Sequence, residues 1–158
     1  MMLEAFITNL GRYNEGYLDG AYLKLPAEKE DVQALLKKIH VDGVRYEEIF
    51  ITDYETDVPG LYDCLGEYES IDELNHLAHV LQEVEDQHDM DKFAAAVELG
   101  NHTGSIRELI NLAQNLDCYY FYPDIKDEED LGLYFVEELG ALDTVSYTHL
   151  TLPTILRV

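Results

Sequence analysis

Residues Glu67 to Ala78 read EYESIDELNHLA, and inside this stretch the hydrophobic period of the chain changes. Before it, apolar residues alternate or cluster in short β-rich runs. After Ser70 they recur at helical spacing: Ile71, Leu74, Leu77, Ala78, Leu81 and Val84 form one stripe. Ser70-Ile71-Asp72-Glu73 is a capping box, in which the serine hydroxyl and the glutamate each satisfy an orphan backbone N–H at a helix start. Strand and helix periods in one chain predict an α+β protein, either as one domain or as two or three small units in a row.

Toward the N-terminus, Ala5 to Leu10 reads as a strand, Gly11 to Gly16 (GRYNEG) as a break, and Tyr17 to Leu25 as a second strand stopped by Pro26. Glu28 to Ile39 places Val32, Leu35, Leu36 and Ile39 at helical spacing, with acids leading and Lys37 and Lys38 trailing as the helix dipole prefers. Tyr46 to Tyr54 (YEEIFITDY) alternates and is rich in aromatic and β-branched residues. Residues 1–62 thus predict a ββαβ unit, with Thr56 to Gly66 as a linker. Toward the C-terminus, a helix is expected from Asp89 to Leu99, closed by Gly100. A second capping box, Ser105-Ile106-Arg107-Glu108, starts a helix through Leu109, Leu112 and Leu116, completing a helical bundle over 63–116. The two box-led segments, SIDELNHLA and SIRELINLA, share helix-start grammar, and internal duplication is the other reading of their likeness. Cys118 to Tyr122 predicts a short strand, and Asp127 to Leu139 an acid-led helix with Leu131, Tyr134, Phe135 and Leu139 inward. Residues 117–143 read as an incomplete α/β unit. The run 144–158 (TVSYTHLTLPTILRV) contains no acid; it reads either as a terminal strand or as foreign translated sequence in place of an authentic end.

The 158 residues carry 33 Asp and Glu against 10 Lys and Arg, a formal charge of -23, while 47% of residues are hydrophobic. That apolar fraction is too high for a disordered acidic tail. Charge of this size opposes compactness by self-repulsion, and it excludes nucleic acid as a direct partner, because a phosphate backbone would only repel it. Basic surfaces or cations are the expected partners. Met1 to Leu10 holds Glu4 and Asn9 and lacks a basic leader, no run approaches a membrane span, and a cytoplasmic protein is expected.

Enzymatic signatures are missing. Glu73 to His76 matches one half of a di-iron motif that has no second copy. His76 and His79 share a helix face, but two solvated or partly buried histidines on an amphipathic helix explain them. Asp53 to Asp57 begins like a calcium loop, yet Val58 stands where glycine is needed and Cys64 where the bidentate glutamate is needed. Cys64 and Cys118 form no metal or redox spacing. No catalytic residue, metal or cofactor is expected.

Four blocks are more specific. Asn9 to Tyr22 (NLGRYNEGYLDGAY) resembles the NLxxYNxGxLxGxW signature of the ArdA antirestriction family, with Tyr22 in place of the usual tryptophan. Tyr46 to Glu55 (YEEIFITDYE) resembles the family's following strand, Glu67 to Asn75 (EYESIDELN) its helix start, and Phe135 to Leu142 (FVEELGAL) a later acidic helix. Family members continue beyond that helix with further acidic and aromatic sequence, whereas this chain turns acid-free at Thr144. The resemblance implies an elongated protein of three small modular units, a non-catalytic DNA mimic that homodimerises if its C-terminal unit is intact. It also implies a partner, the basic DNA-binding groove of a type I restriction–modification enzyme.

The expected phosphate-mimicking carboxylates lie on every element. They are Glu28, Glu30 and Asp31 on the first helix, and Glu47, Glu48, Asp53, Glu55 and Asp57 around the third strand. Asp72, Glu83, Glu85 and Asp86 lie on the capping-box helix, and Glu128, Glu129, Asp130, Glu137 and Glu138 on the last. An acidic adaptor for a basic protein unrelated to DNA is the alternative, separated from a mimic by whether duplex DNA displaces it.

Overall fold

Alternation in β1 (Leu3–Asn9) buries Leu3, Ala5 and Ile7 on one side of a sheet and turns Glu4 and Phe6 to the other. The computed structural model describes residues 1–137 and 155–157. In it β1 is the central strand, antiparallel to β2 (Gly20–Lys24) and β3 (Ile49–Thr56), in the order β2-β1-β3. Ala5 sits opposite Leu23 and Tyr54, all buried, and Phe6 opposite Tyr22 and Asp53. The register against β3 slips by one residue at Phe6/Ile7, leaving Thr52 as a bulge; its hydroxyl meets that of Thr8 at 3.1 Å. Gly20 is required where it is, because a Cβ there would stand 2.5 Å from Phe6 Cε1 and 2.9 Å from the Ile7 carbonyl oxygen.

The GRYNEG stretch, expected to be an irregular break, contains a five-residue helix, α1 (Leu10–Asn14). So short a helix has no periodic stripe to read; Asn9 makes it. The buried Asn9 side chain accepts from Arg12 N–H at 3.0 Å and donates to the Ile39 carbonyl at 3.0 Å, joining α1 to the end of α2 (Lys29–Lys38). Strand β2 starts at Gly20, later than Tyr17, whose N–H is spent on the Arg12 carbonyl. Similarly β3 starts at Ile49: Asp42 Oδ1 accepts from the N–H groups of Val44, Arg45 and Tyr46, which holds Tyr46 in a turn.

The stretch Thr56 to Gly66, read as a linker, is packed. Val58 and Leu61 are buried, a 3-10 turn runs Tyr62–Cys64, and the Tyr54 hydroxyl donates to the Gly66 carbonyl at 2.6 Å. Three helices follow: α3 (Ile71–Asp86), α4 (Met90–Leu99) and α5 (Ile106–Gln114). They bury Leu74, Leu77, Leu81, Phe93, Ile106 and Leu109 completely or nearly so. Gly100 ends α4 in the left-handed region, φ 73°. Both serine caps form, to Glu73 N–H at 3.4 Å and Glu108 N–H at 3.1 Å, while the Glu73 carboxylate reaches Arg107 on α5. Asn75 on α3 exchanges two hydrogen bonds with the backbone of Ala27. Strand-bearing and helical segments share one compact unit, Met1–Gln114.

The second unit spans Asn115–Val158. It contains β4 (Tyr119–Phe121), shorter than expected because a 3-10 turn occupies Leu116–Cys118, then α6 (Glu128–Glu137) and β5 (Ile155–Arg157). Strands β4 and β5 pair antiparallel, Tyr119 opposite Arg157. Tyr119, Ile125 and Leu131 are buried; Tyr134 and Phe135, expected inward, are half-buried. Leu139, Glu138 and residues 144–154 lie outside the described residues. Helices and a small antiparallel sheet make the protein α+β.

Candidate partner-binding surface

A carboxylate withdrawn from water without a partner is costly, and the described part of the chain avoids this. Among the described residues no Asp or Glu is buried; the buried polar side chains are Thr8 and Asn9. The expected contact residues Glu28, Glu30, Asp31, Glu47, Glu48, Glu55, Asp57, Asp72, Glu83, Glu85, Asp86, Glu128, Glu129 and Glu137 are all exposed, and Asp53 and Asp130 are partly so.

Some of that charge suits its helix. Glu30 and Asp31, Asp72, and Glu128, Glu129 and Asp130 sit in first turns, where the helix dipole favours anions. Glu83, Glu85 and Asp86 sit at the other end of α3, where the dipole disfavours them, and no basic residue occupies that turn. Helix stability therefore does not account for those three.

Cations sort the acids into two sets. Arg12 Nε lies 2.8 Å from Asp19 Oδ2, Arg45 3.5 Å from Glu15 and Arg107 2.9 Å from Glu73. Asp19 also meets His40 Nδ1 at 3.1 Å. The Arg12 guanidinium holds the Asp19 carboxyl below its usual range, and the N–H groups of Tyr46 and Val44 do the same for Asp42. None of these acids was among the expected contact residues. Conversely, no expected contact residue among those described is ion-paired with Lys or Arg. Asp57 and Glu85 face the N-terminal ammonium, and Asp57 also accepts from Met2 N–H at 2.7 Å. Asp130 accepts from Lys126 N–H at the start of α6. Asp53 accepts from the Tyr22 hydroxyl at 2.9 Å and from the Tyr62 hydroxyl at 3.4 Å. These four have local partners; Glu28, Glu30, Asp31, Asp72, Glu83, Asp86, Glu128, Glu129 and Glu137 have no cation of the described residues beside them.

The structure thus brings Asp53 and Glu55 together with Tyr22 and Tyr62 on the outer sheet face. It spreads the α2, α3 and α6 acids over separate helices. The aromatic partners of Asp53 were missed from sequence, since Phe6, Tyr22 and Asp53 become neighbours only once the strand register is known. A shallow pocket of about 280 Å³ is lined by Leu10, Asn14, Arg45, Tyr46, Glu47 and Glu48. No group of three metal-ligating side chains occurs among the described residues, and His76 and His79 point to solvent. Both cysteines are free thiols.

Among the described residues the core excludes acids, and Arg12, Arg45 and Arg107 are taken up internally while most carboxylates have no cation beside them, which defines a class: a folded protein with an anionic surface. The comparison with protein families narrows it. The model of the antirestriction protein family ArdA matches residues 5–154, and the chain belongs to that family. Membership assigns it an antirestriction function, acting on restriction–modification enzymes as an inhibitor rather than as a catalyst. The match continues past Thr144 into the acid-free run. No curated protein matches the chain. No helix among the described residues is long and apolar enough to cross a membrane.

Proposed function

We propose that the protein inhibits type I restriction–modification enzymes in the cytoplasm by occupying their DNA-binding groove. Its carboxylates stand in for backbone phosphates. The observation that carries this reading is the division of the acids: Asp19, Glu15 and Glu73 are paired with arginines, while Glu28, Glu30, Asp31, Asp72, Glu83, Asp86, Glu128 and Glu129 are exposed without a cation among the described residues. Duplex DNA carries about one negative charge per 1.7 Å of axis. At that density, a charge of -23 corresponds to roughly 40 Å of duplex, near one helical turn, and a homodimer would present twice that. Glu30, Asp31, Asp72, Glu83 and Asp86, with the capping residue Glu28, supply the first unit's helical share, and Glu128, Glu129 and Glu137 that of the second.

The test is neutralisation in place. Replacing Glu28, Glu30, Asp31, Glu83 and Asp86 by the amides should leave the circular dichroism unchanged and raise the concentration for half-inhibition of a purified type I enzyme by about tenfold or more, the equivalent of about 1.4 kcal/mol. If this variant and one neutralised at Glu128, Glu129, Glu137 and Glu138 both inhibit like the parent, the carboxylates are not the contact surface.

A further inference from the structure

The outer face of the three-stranded sheet is unpartnered among the described residues, and it is aromatic as well as acidic. Tyr22 is 42% exposed and packs edge-to-face against Phe6 at 4.9 Å; Tyr62 is 53% exposed. Both hydroxyls converge on the Asp53 carboxylate, with Glu55 one further pleat along the same side of β3. The carboxylate thereby accepts from two tyrosine hydroxyls. Burying two tyrosine rings in a protein interior would be routine; leaving Tyr22 and Tyr62 at the surface around a fixed anion is not explained by the fold.

The chain itself shows what such an arrangement holds. Arg12 places its guanidinium 4.1 Å from the centre of the Tyr17 ring while its Nε meets Asp19 at 2.8 Å. Arg45 lies 5.2 Å from the Tyr46 ring and 3.5 Å from Glu15. Each is an arginine seated on a tyrosine face with a carboxylate alongside. At Tyr22, Tyr62 and Asp53 the same components recur with no Lys or Arg of the described residues bound to the carboxylate. A planar, weakly hydrated guanidinium gains from both the ring and the carboxylate, whereas an ammonium gains mainly from the charge.

We propose that the Tyr22–Asp53–Tyr62 face is an arginine-reading surface that docks a basic, arginine-bearing face of a protein partner. Charge complementarity fixes the sign of that partner, and the two internal arginine seats fix the side chain. The proposal rests on the reading of the protein as a ligand of basic grooves and sharpens it. Most of the surface attracts any cation, while this face selects arginine and so sets register. It also gives Tyr22 and Tyr62 a function other than scaffold.

A test independent of any restriction enzyme uses labelled octa-arginine and octa-lysine peptides, titrated against the full chain at fixed ionic strength. The parent should bind octa-arginine more tightly, by about two- to five-fold for a seat of this kind. The Tyr22→Leu/Tyr62→Leu variant should lose that preference while still binding both peptides. Tyr22→Phe/Tyr62→Phe, which keeps the rings but frees Asp53, should keep part of it and serves if the leucine variant does not fold. Equal affinity of the parent for the two peptides would overturn the proposal, as would an arginine preference that survives the leucine variant. A change in oligomeric state of the leucine variant by sedimentation would assign the face to a second copy of the chain and overturn it too. Failure of the wider reading looks different: the peptide preference would stand while neutralising the helix acids left inhibition intact.

Discussion

The corner where β1 meets α1 and the outer surfaces of α2 and α3 use carboxylates in opposite ways. At the corner, Asp19 gathers Arg12 and His40, Asp42 gathers three backbone N–H groups, and Asn9 ties the whole to Ile39. Every charge there has a structural partner. On the helices, Glu30, Asp31, Glu83 and Asp86 have no cation beside them, and the last two oppose the dipole of their own helix. The difference teaches how to read an acidic protein: total charge says little, and the informative quantity is which acids the fold leaves without a cation.

The largest effect expected from breaking this contrast is at the corner. Asn9→Ala removes an acceptor for Arg12 N–H and a donor to the Ile39 carbonyl in a fully buried site. Unsatisfied buried groups cost about 1–3 kcal/mol each, so chemical denaturation should show a loss of about 2 kcal/mol or more. Gly20→Ala comes next: its Cβ would crowd Phe6 and the Ile7 carbonyl, and overpacking of this kind costs about 1–3 kcal/mol. Thermal unfolding should show it, and the Tyr22–Asp53 contact should be disturbed with it.

A third outcome concerns pH. The backbone N–H groups of Tyr46 and Val44 hold the Asp42 carboxyl below the ordinary carboxylate range in the folded protein. Its contribution to stability is therefore fully present above the unfolded-state value and is lost as pH falls through the lower folded one. Protonating the unpaired surface acids acts with the opposite sign by relieving repulsion, so the comparison must be made between variants. Asp42→Asn should be less stable than the parent at neutral pH, and the gap should close below about pH 4. A gap that stays constant down to pH 2 would show that its charge plays no part.

The smallest effect is expected on the helix surface and with the reverse sign. Glu83→Gln/Asp86→Asn removes anions from the disfavoured end of α3 and should raise the thermal midpoint slightly while weakening inhibition. A drop in midpoint would move these two residues into the structural set.

Much of this was legible in the sequence, for physical reasons that differ by element. The α3 stripe and both serine caps follow from local spacing, and the structure forms them at the expected positions. The succession of β1, β2, α2 and β3, apart from the inserted α1, and the exposure of most of the described contact acids follow equally local spacing. By contrast, α1 was missed because a five-residue helix has no period, and its cap acts through Ile39, thirty residues away. Val58 and Leu61 looked like linker because Pro59 and Gly60 break the pattern around them, yet both side chains are buried. The arginine seats and the Tyr22–Asp53–Tyr62 face depend on register and turns, which composition does not encode.

Competition with DNA tests the central claim most directly. A purified type I enzyme is assayed at a series of duplex DNA concentrations with this protein titrated at each. If unpaired carboxylates occupy the DNA groove, the concentration for half-inhibition should rise in proportion to DNA, and binding should weaken steeply as salt is raised. Inhibition that is indifferent to DNA concentration would place the protein elsewhere on the enzyme and contradict the account.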